Sequence, residues 1–111
     1  MRRPVELIAG VPETAVRTWE LTLDSELPSA ASRVTPELAG EVASLLARVP
    51  GVGSVAVRPH CNGRFLLASL TVEARGADDA VDRSIAYLRG CAAAAGVGPL
   101  VLVAARYSSA A

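Results

Sequence analysis

The chain's single histidine stands directly before one of its two cysteines, in the run Arg58-Pro59-His60-Cys61-Asn62-Gly63. An imidazole beside a thiol can hold a soft metal ion or poise a reactive thiolate. Two adjacent ligands fall short of the three or four that a bound metal takes, and Cys91 lies far along the chain. His60 and Cys61 therefore read as residues of an exposed turn. A metal site is the weaker alternative, kept open because a symmetric oligomer could gather several copies. Neither a metal nor a cofactor is expected.

Glu20 and Glu73 are the second candidate. Each falls in an alternating segment that reads as a strand, and the two strands are expected side by side. Paired carboxylates can separate their pKa values and divide acid and base roles. The plainer reading is a solvated pair, or ion pairs with arginines such as Arg58 or Arg106 across strands. Trp19 could stack a ring, but it shares its strand face with Leu21 and Leu23, which points to the core. Gly51-Val52-Gly53 follows a helix-like segment, whereas a phosphate-binding glycine loop precedes one. It reads as a helix stop and turn.

These residues need a frame. Residues 15–24 alternate: Arg17, Trp19, Leu21 and Leu23 on one side, Thr18, Glu20, Thr22 and Asp24 on the other, the pattern of a half-buried strand. Residues 25–34 follow as a long loop rich in Ser, Pro and Ala, long enough to be a functional loop. Thr35-Pro36-Glu37 is a helix start, with a capping hydroxyl, a proline at the first turn and an acid at the positive dipole end. Leu38, Val42, Leu45, Leu46 and Val49 then form one stripe, which Pro50-Gly51 ends. Residues 52–58 read as a short strand, an edge strand because of Pro59.

Asn62-Gly63 predicts a hairpin turn. Residues 64–75 form the longest apolar strand, with Leu66, Ala68, Leu70, Val72 and Ala74 alternating with Phe65, Leu67, Ser69, Thr71 and Glu73. Apolarity on both sides predicts a central position. Asp78 and Asp79 open a second helix over 77–95, with Val81, Ile85, Leu88, Ala92 and Ala95 as its buried stripe. Residues 100–107 make the last strand.

With 111 residues, 51% hydrophobic content and 20% charge, the chain suits one globular domain. The expected organisation is an N-terminal arm or extra strand over 1–14, a single domain over 15–107 and a frayed tail over 108–111. No run of about 18 apolar residues offers a bilayer span, and Glu6, Gly10 and Pro12 interrupt the stretch behind the basic N-terminus. A cytoplasmic location and free thiols are expected. The 11 basic and 11 acidic residues cancel, and every base is arginine. Such a balance lacks the basic footprint of a nucleic-acid binder. Neither nucleic acid nor membrane is an expected partner.

Two strand–helix–strand units joined by a hairpin make the ferredoxin-like βαββαβ arrangement, an α+β sandwich. It predicts a four-stranded antiparallel sheet in the order 4-1-3-2 with two helices on one face. The other face is then bare. It would carry Glu20, Thr22, Phe65, Leu67 and Glu73, with Thr18, Ser69 and Thr71, and Tyr107 from the last strand. Exposed apolar patches of several hundred Å² are rare in monomers, so Glu20, Thr22, Phe65, Leu67, Glu73 and Tyr107 are the candidate ligand-binding or interface set, and a homo-oligomer is expected.

The segment from Leu45-Leu46-Ala47-Arg48-Val49 through Pro50-Gly51-Val52-Gly53 to Ser54-Val55-Ala56-Val57 resembles the helix-to-strand passage of ACT-type regulatory domains and of metallochaperone domains. The metallochaperone resemblance implies a cysteine pair after the first strand. Residues 25–34 hold no cysteine, which removes metal transfer. The ACT resemblance implies a ligand near the first strand-to-helix loop at a subunit interface. No motif specifies a reaction. The expected function is a small oligomeric ligand-binding or regulatory module without catalytic activity, its partner itself, a small molecule or a protein. The alternative is a cofactor-independent enzyme of the dimeric α+β barrel type, monooxygenase- or cyclase-like, with the bare face as its pocket.

Overall fold

A computed structural model describes residues 15–28 and 32–109. The expected arm over residues 1–14 lies outside them. The elements run β1 (Arg17–Glu26), α1 (Pro36–Ala47), β2 (Val52–His60), β3 (Phe65–Ala74), α2 (Ala77–Ala94) and β4 (Val101–Ser109). The described residues form an α+β fold of four antiparallel strands and two helices. The strand order is β2-β3-β1-β4, which reads 4-1-3-2 from the opposite edge.

The local signals act as their chemistry dictates. The Thr35 hydroxyl accepts the Leu38 N–H at 3.1 Å and caps α1 over Pro36 at the first turn. At the start of α2 the cap position is Gly76, which has no side chain to offer. Asp79 in the first turn reaches back past the cap, its Oδ2 accepting the Arg75 N–H at 3.1 Å and fixing the chain's entry into the helix.

One core joins the sheet to both helices. Leu21 and Leu23 of β1, Leu66, Ala68, Leu70 and Val72 of β3, Val42 and Leu46 of α1 and Leu88 of α2 are all buried in it. The α2 stripe is rotated from the expected one. Ala80, Ser84, Leu88 and Ala92 are buried, while Val81, Ile85 and Ala95 are half-buried. Three of the four buried positions are small, so α2 seats its backbone close to the sheet. Ser84 is tolerated there because its hydroxyl donates to the Ala80 carbonyl at 2.7 Å and leaves no donor unpaired.

Two bulges break the simple alternation of the outer strands. In β2 the register shifts between Gly53 and Ala56, so Ser54 and Val55 together face Leu70. Ser54 takes a left-handed φ of 49°. The shift lets Val52, Val55 and Val57 all pack on the core, a spacing no regular strand could bury on one side. In β4 the register shifts opposite Asp24 and Ser25, and Val103 is the extra residue.

The long loop is tied at both ends to the β2–β3 turn. Leu27 N–H donates to the Arg64 carbonyl at 3.1 Å, and Val34 N–H to the Gly63 carbonyl at 2.8 Å. β1 itself continues to Glu26, and β4 continues to Ser109, two residues past its expected end.

Candidate functional site

The face of the sheet away from the helices is built row by row from the strand pairing. Asp24 of β1 lies between Leu67 of β3 and Ala104 of β4, with Arg58 of β2 beyond Leu67. In the next row Thr22 lies between Ser69 and Arg106, with Ala56 outermost. Glu20 follows, between Thr71 and Ser108. At the hairpin end, Glu26 pairs with Phe65, and Phe65 with His60.

The charges are sorted by strand. Glu20, Asp24 and Glu26 follow one another down the centre of this face, and Arg58 and Arg106 stand on the outer strands. The Arg64 Nη2 donates to Glu26 Oε2 at 3.2 Å and closes the hairpin end. One oxygen of Asp24, Oδ1, is buried among its neighbours with no hydrogen-bond partner. A buried carboxylate oxygen without a donor carries a desolvation cost.

Between β2 and β3 this face sinks into a depression of about 270 Å³, lined by Ala56, Val57, Arg58, Leu67 and Ser69. That is just below the size usual for small-molecule sites. Its chemistry is one guanidinium and one hydroxyl over an apolar floor. A guanidinium recognises carboxylates through two parallel N–H bonds. The arrangement suits a small carboxylate with an apolar body.

Glu20, Thr22, Phe65, Leu67 and Glu73 all fall on the open face. Leu67 alone among these five lines the depression. The two glutamates are not opposite each other: Glu20 faces Thr71, and Glu73 faces Thr18. They are diagonal neighbours, a spacing of roughly 7–8 Å, and both are exposed.

Tyr107 is not on this face. It pairs with Leu21, on the helix side, and its ring meets Trp19 edge-on with centroids 6.3 Å apart. Counting alternately from the buried Leu100 puts Tyr107 on the open face, and the Val103 bulge reverses that count. Trp19 is half-buried at the core's rim, as its Leu neighbours predict, and its Nε1 donates to the Ala74 carbonyl at 3.3 Å.

His60 and Cys61 are both exposed at the hairpin, and the imidazole rests edge-on against Phe65 with centroids 6.3 Å apart. Among the described residues, no three metal-ligating side chains come together. Arg58 and Ser69 line the depression without standing among the site residues expected from sequence, and Asp24 lies beside them in the neighbouring strand. Arg58 and Ser69 could have been found by placing β2 beside β3 and carrying the alternation across both strands.

Other electrostatic couplings belong to the helix layer. The Arg75 N–H, then the Arg83 guanidinium at 3.0 Å, hold the Asp79 carboxyl below the usual carboxylate range, and Asp79 in turn raises Arg83. Burial pushes the Cys91 thiol up. Among the described residues, no helix is long and apolar enough to cross a membrane. No family model matches the chain, and neither a curated protein nor a solved structure matches it.

Proposed function

We propose that this chain is a small oligomeric binding module of ferredoxin-like layout, without catalytic activity, which takes a small carboxylate on its helix-free sheet face. The depression beside Arg58 carries this reading. It unites a cation, the Ser69 hydroxyl and the apolar surfaces of Ala56 and Leu67 at one spot. Strand pairing fixes the positions of all four, so the site is laid out before a ligand arrives.

The test is a thermal-shift series with acetate, benzoate and the free amino acids, run on the full chain and on Arg58→Gln. A carboxylate at 100 times its dissociation constant adds about 2.7 kcal/mol to the native state. The melting temperature of the native chain should rise with at least one of these carboxylates, and that of Arg58→Gln should not. Equal responses from the two proteins, or none from either, would sink the carboxylate reading.

A further inference from the structure

Asp24 and Glu26 stand two residues apart on the open face of β1, and they are treated differently. Glu26 is held by the Arg64 guanidinium at 3.2 Å. Asp24 is half-buried, its Oδ1 is enclosed without a hydrogen-bond partner, and it forms no ion pair among the described residues. A partly desolvated carboxylate with no matching charge is costly. Enclosure of Oδ1 leaves Oδ2 as the oxygen a ligand can meet.

We infer that Arg58 and Asp24 form a zwitterion site, in which Arg58 takes the carboxylate and Asp24 the ammonium of a small α-amino acid whose apolar side chain rests on Leu67 and Ala56. The inference rests on the carboxylate reading of the Arg58 depression and names its ligand class.

Strand pairing sets the two charges in one row. Arg58 lies opposite Leu67, and Leu67 opposite Asp24. Residues directly opposite share a face, so both charged side chains rise on the open side, two strands apart at about 4.8 Å per strand. Leu67 is the floor between them. The guanidinium, on the longer stem, lines the depression, and Asp24 bounds the side beyond Leu67. The next row sets Thr22 beside Ser69, so two hydroxyls border the same gap.

Charge decides between a plain carboxylate and an amino acid. Glu20, Asp24 and Glu26 follow one another along β1 on this face. A simple anion drawn to Arg58 meets that column at close range, and repulsion removes part of what the guanidinium supplies. An ammonium on the same molecule turns the repulsion into attraction and gives Asp24 Oδ2 a charge-assisted donor. Two arginines compete for Asp24: Arg58 across Leu67, and Arg106, its diagonal neighbour on β4. Neither pairs with it in this structure. The depression of about 270 Å³ suits a short side chain, being smaller than a site for a drug-sized molecule.

The experiment is a thermal-shift titration of the full chain with alanine, propanoate and N-acetylalanine. Alanine should stabilise it at a concentration roughly tenfold lower than propanoate, the value of one added charged contact. N-acetylalanine keeps the carboxylate but lacks the ammonium, and should behave as propanoate does. Asp24→Asn should respond to alanine and propanoate alike, and Arg58→Gln to neither. Equal responses of the native chain to alanine and propanoate would overturn the zwitterion site and leave the carboxylate reading standing. No response to any of the three would overturn both. A preference for alanine that survives in Asp24→Asn rejects Asp24 as the ammonium's partner. Should Asp24→Asn fail to fold, N-acetylalanine decides on the native chain, and stabilisation equal to alanine's rejects the inference.

Discussion

Leu66 and Leu67 are the same residue at adjacent positions of β3, and they meet opposite environments. Leu66 is fully buried against the helices, while Leu67 is half-buried and lines the depression on the open face. The covered side of β3 is uniformly apolar, from Leu66 to Ala74, because every position there meets a helix or another core strand. The open side mixes Phe65 and Leu67 with Ser69, Thr71 and Glu73, a surface neither dry enough for a core nor polar enough for plain solvent. One strand thus carries a folding surface and an open surface of mixed chemistry, separated only by the alternation of its side chains.

Truncating the two leucines separates those roles most sharply. Leu66→Ala should lose about 2–5 kcal/mol of stability, the cost of deleting a core leucine. Leu67→Ala should lose less, roughly 1 kcal/mol, since its side chain is only partly buried and leaves an open depression rather than a closed cavity. Urea denaturation of both variants gives the comparison. A Leu67→Ala cost that rises with protein concentration would mean that a second chain covers the open face in the native assembly. That would break the contrast between the faces.

The hairpin end is where the two faces are locked to each other, and Gly63 is its tightest point. Cys61, Asn62 and Gly63 take φ values of 52°, 58° and 84° in succession. A Cβ on Gly63 would stand 2.8 Å from the Val34 carbonyl oxygen. The hydrogen bond from Val34 N–H to the Gly63 carbonyl holds that approach in place. Gly63→Ala therefore adds left-handed strain of about 1–2 kcal/mol to an overpacking cost of about 1–3 kcal/mol. We expect a loss of roughly 2–5 kcal/mol in denaturant melts, with Asn62→Ala well below it because its backbone makes no such approach.

The contrast between the faces was legible in β1 and β3, and much less so in the outer strands. In β1 and β3 every second residue is apolar over the core, so period and burial coincide. The helix start at Thr35-Pro36 and the turn at Asn62-Gly63 depend on local chemistry and were readable for that reason. The side that Tyr107 takes depends on a bulge, which is a property of strand pairing: nothing within Leu100–Tyr107 announces that Val103 is skipped. The diagonal relation of Glu20 and Glu73 likewise depends on the β1–β3 register. The rotated stripe of α2 was hidden by Ser84, whose hydroxyl looks solvent-seeking until its Ala80 bond is seen. That Arg58 and Ser69 share a depression is not marked in either segment, because a depression between two strands belongs to neither segment alone.

The smallest of the expected effects tests how the bulge in β2 keeps the faces sorted. Val52, Val55 and Val57 all reach the core only because Ser54 absorbs one residue of register in a left-handed conformation. That conformation is costly for a residue with a Cβ and nearly free for glycine. Ser54 is exposed, so its side chain adds no core packing. Ser54→Gly should stabilise the fold by up to about 1 kcal/mol, reduced by the larger backbone entropy glycine has when unfolded. Ser54→Val should do the opposite, because a β-branched side chain resists positive φ. If the two substitutions had equal effects in thermal melts, the left-handed residue would not be what keeps three valines on the covered side, and the register shift would have to originate in the packing of Val55 against the helices.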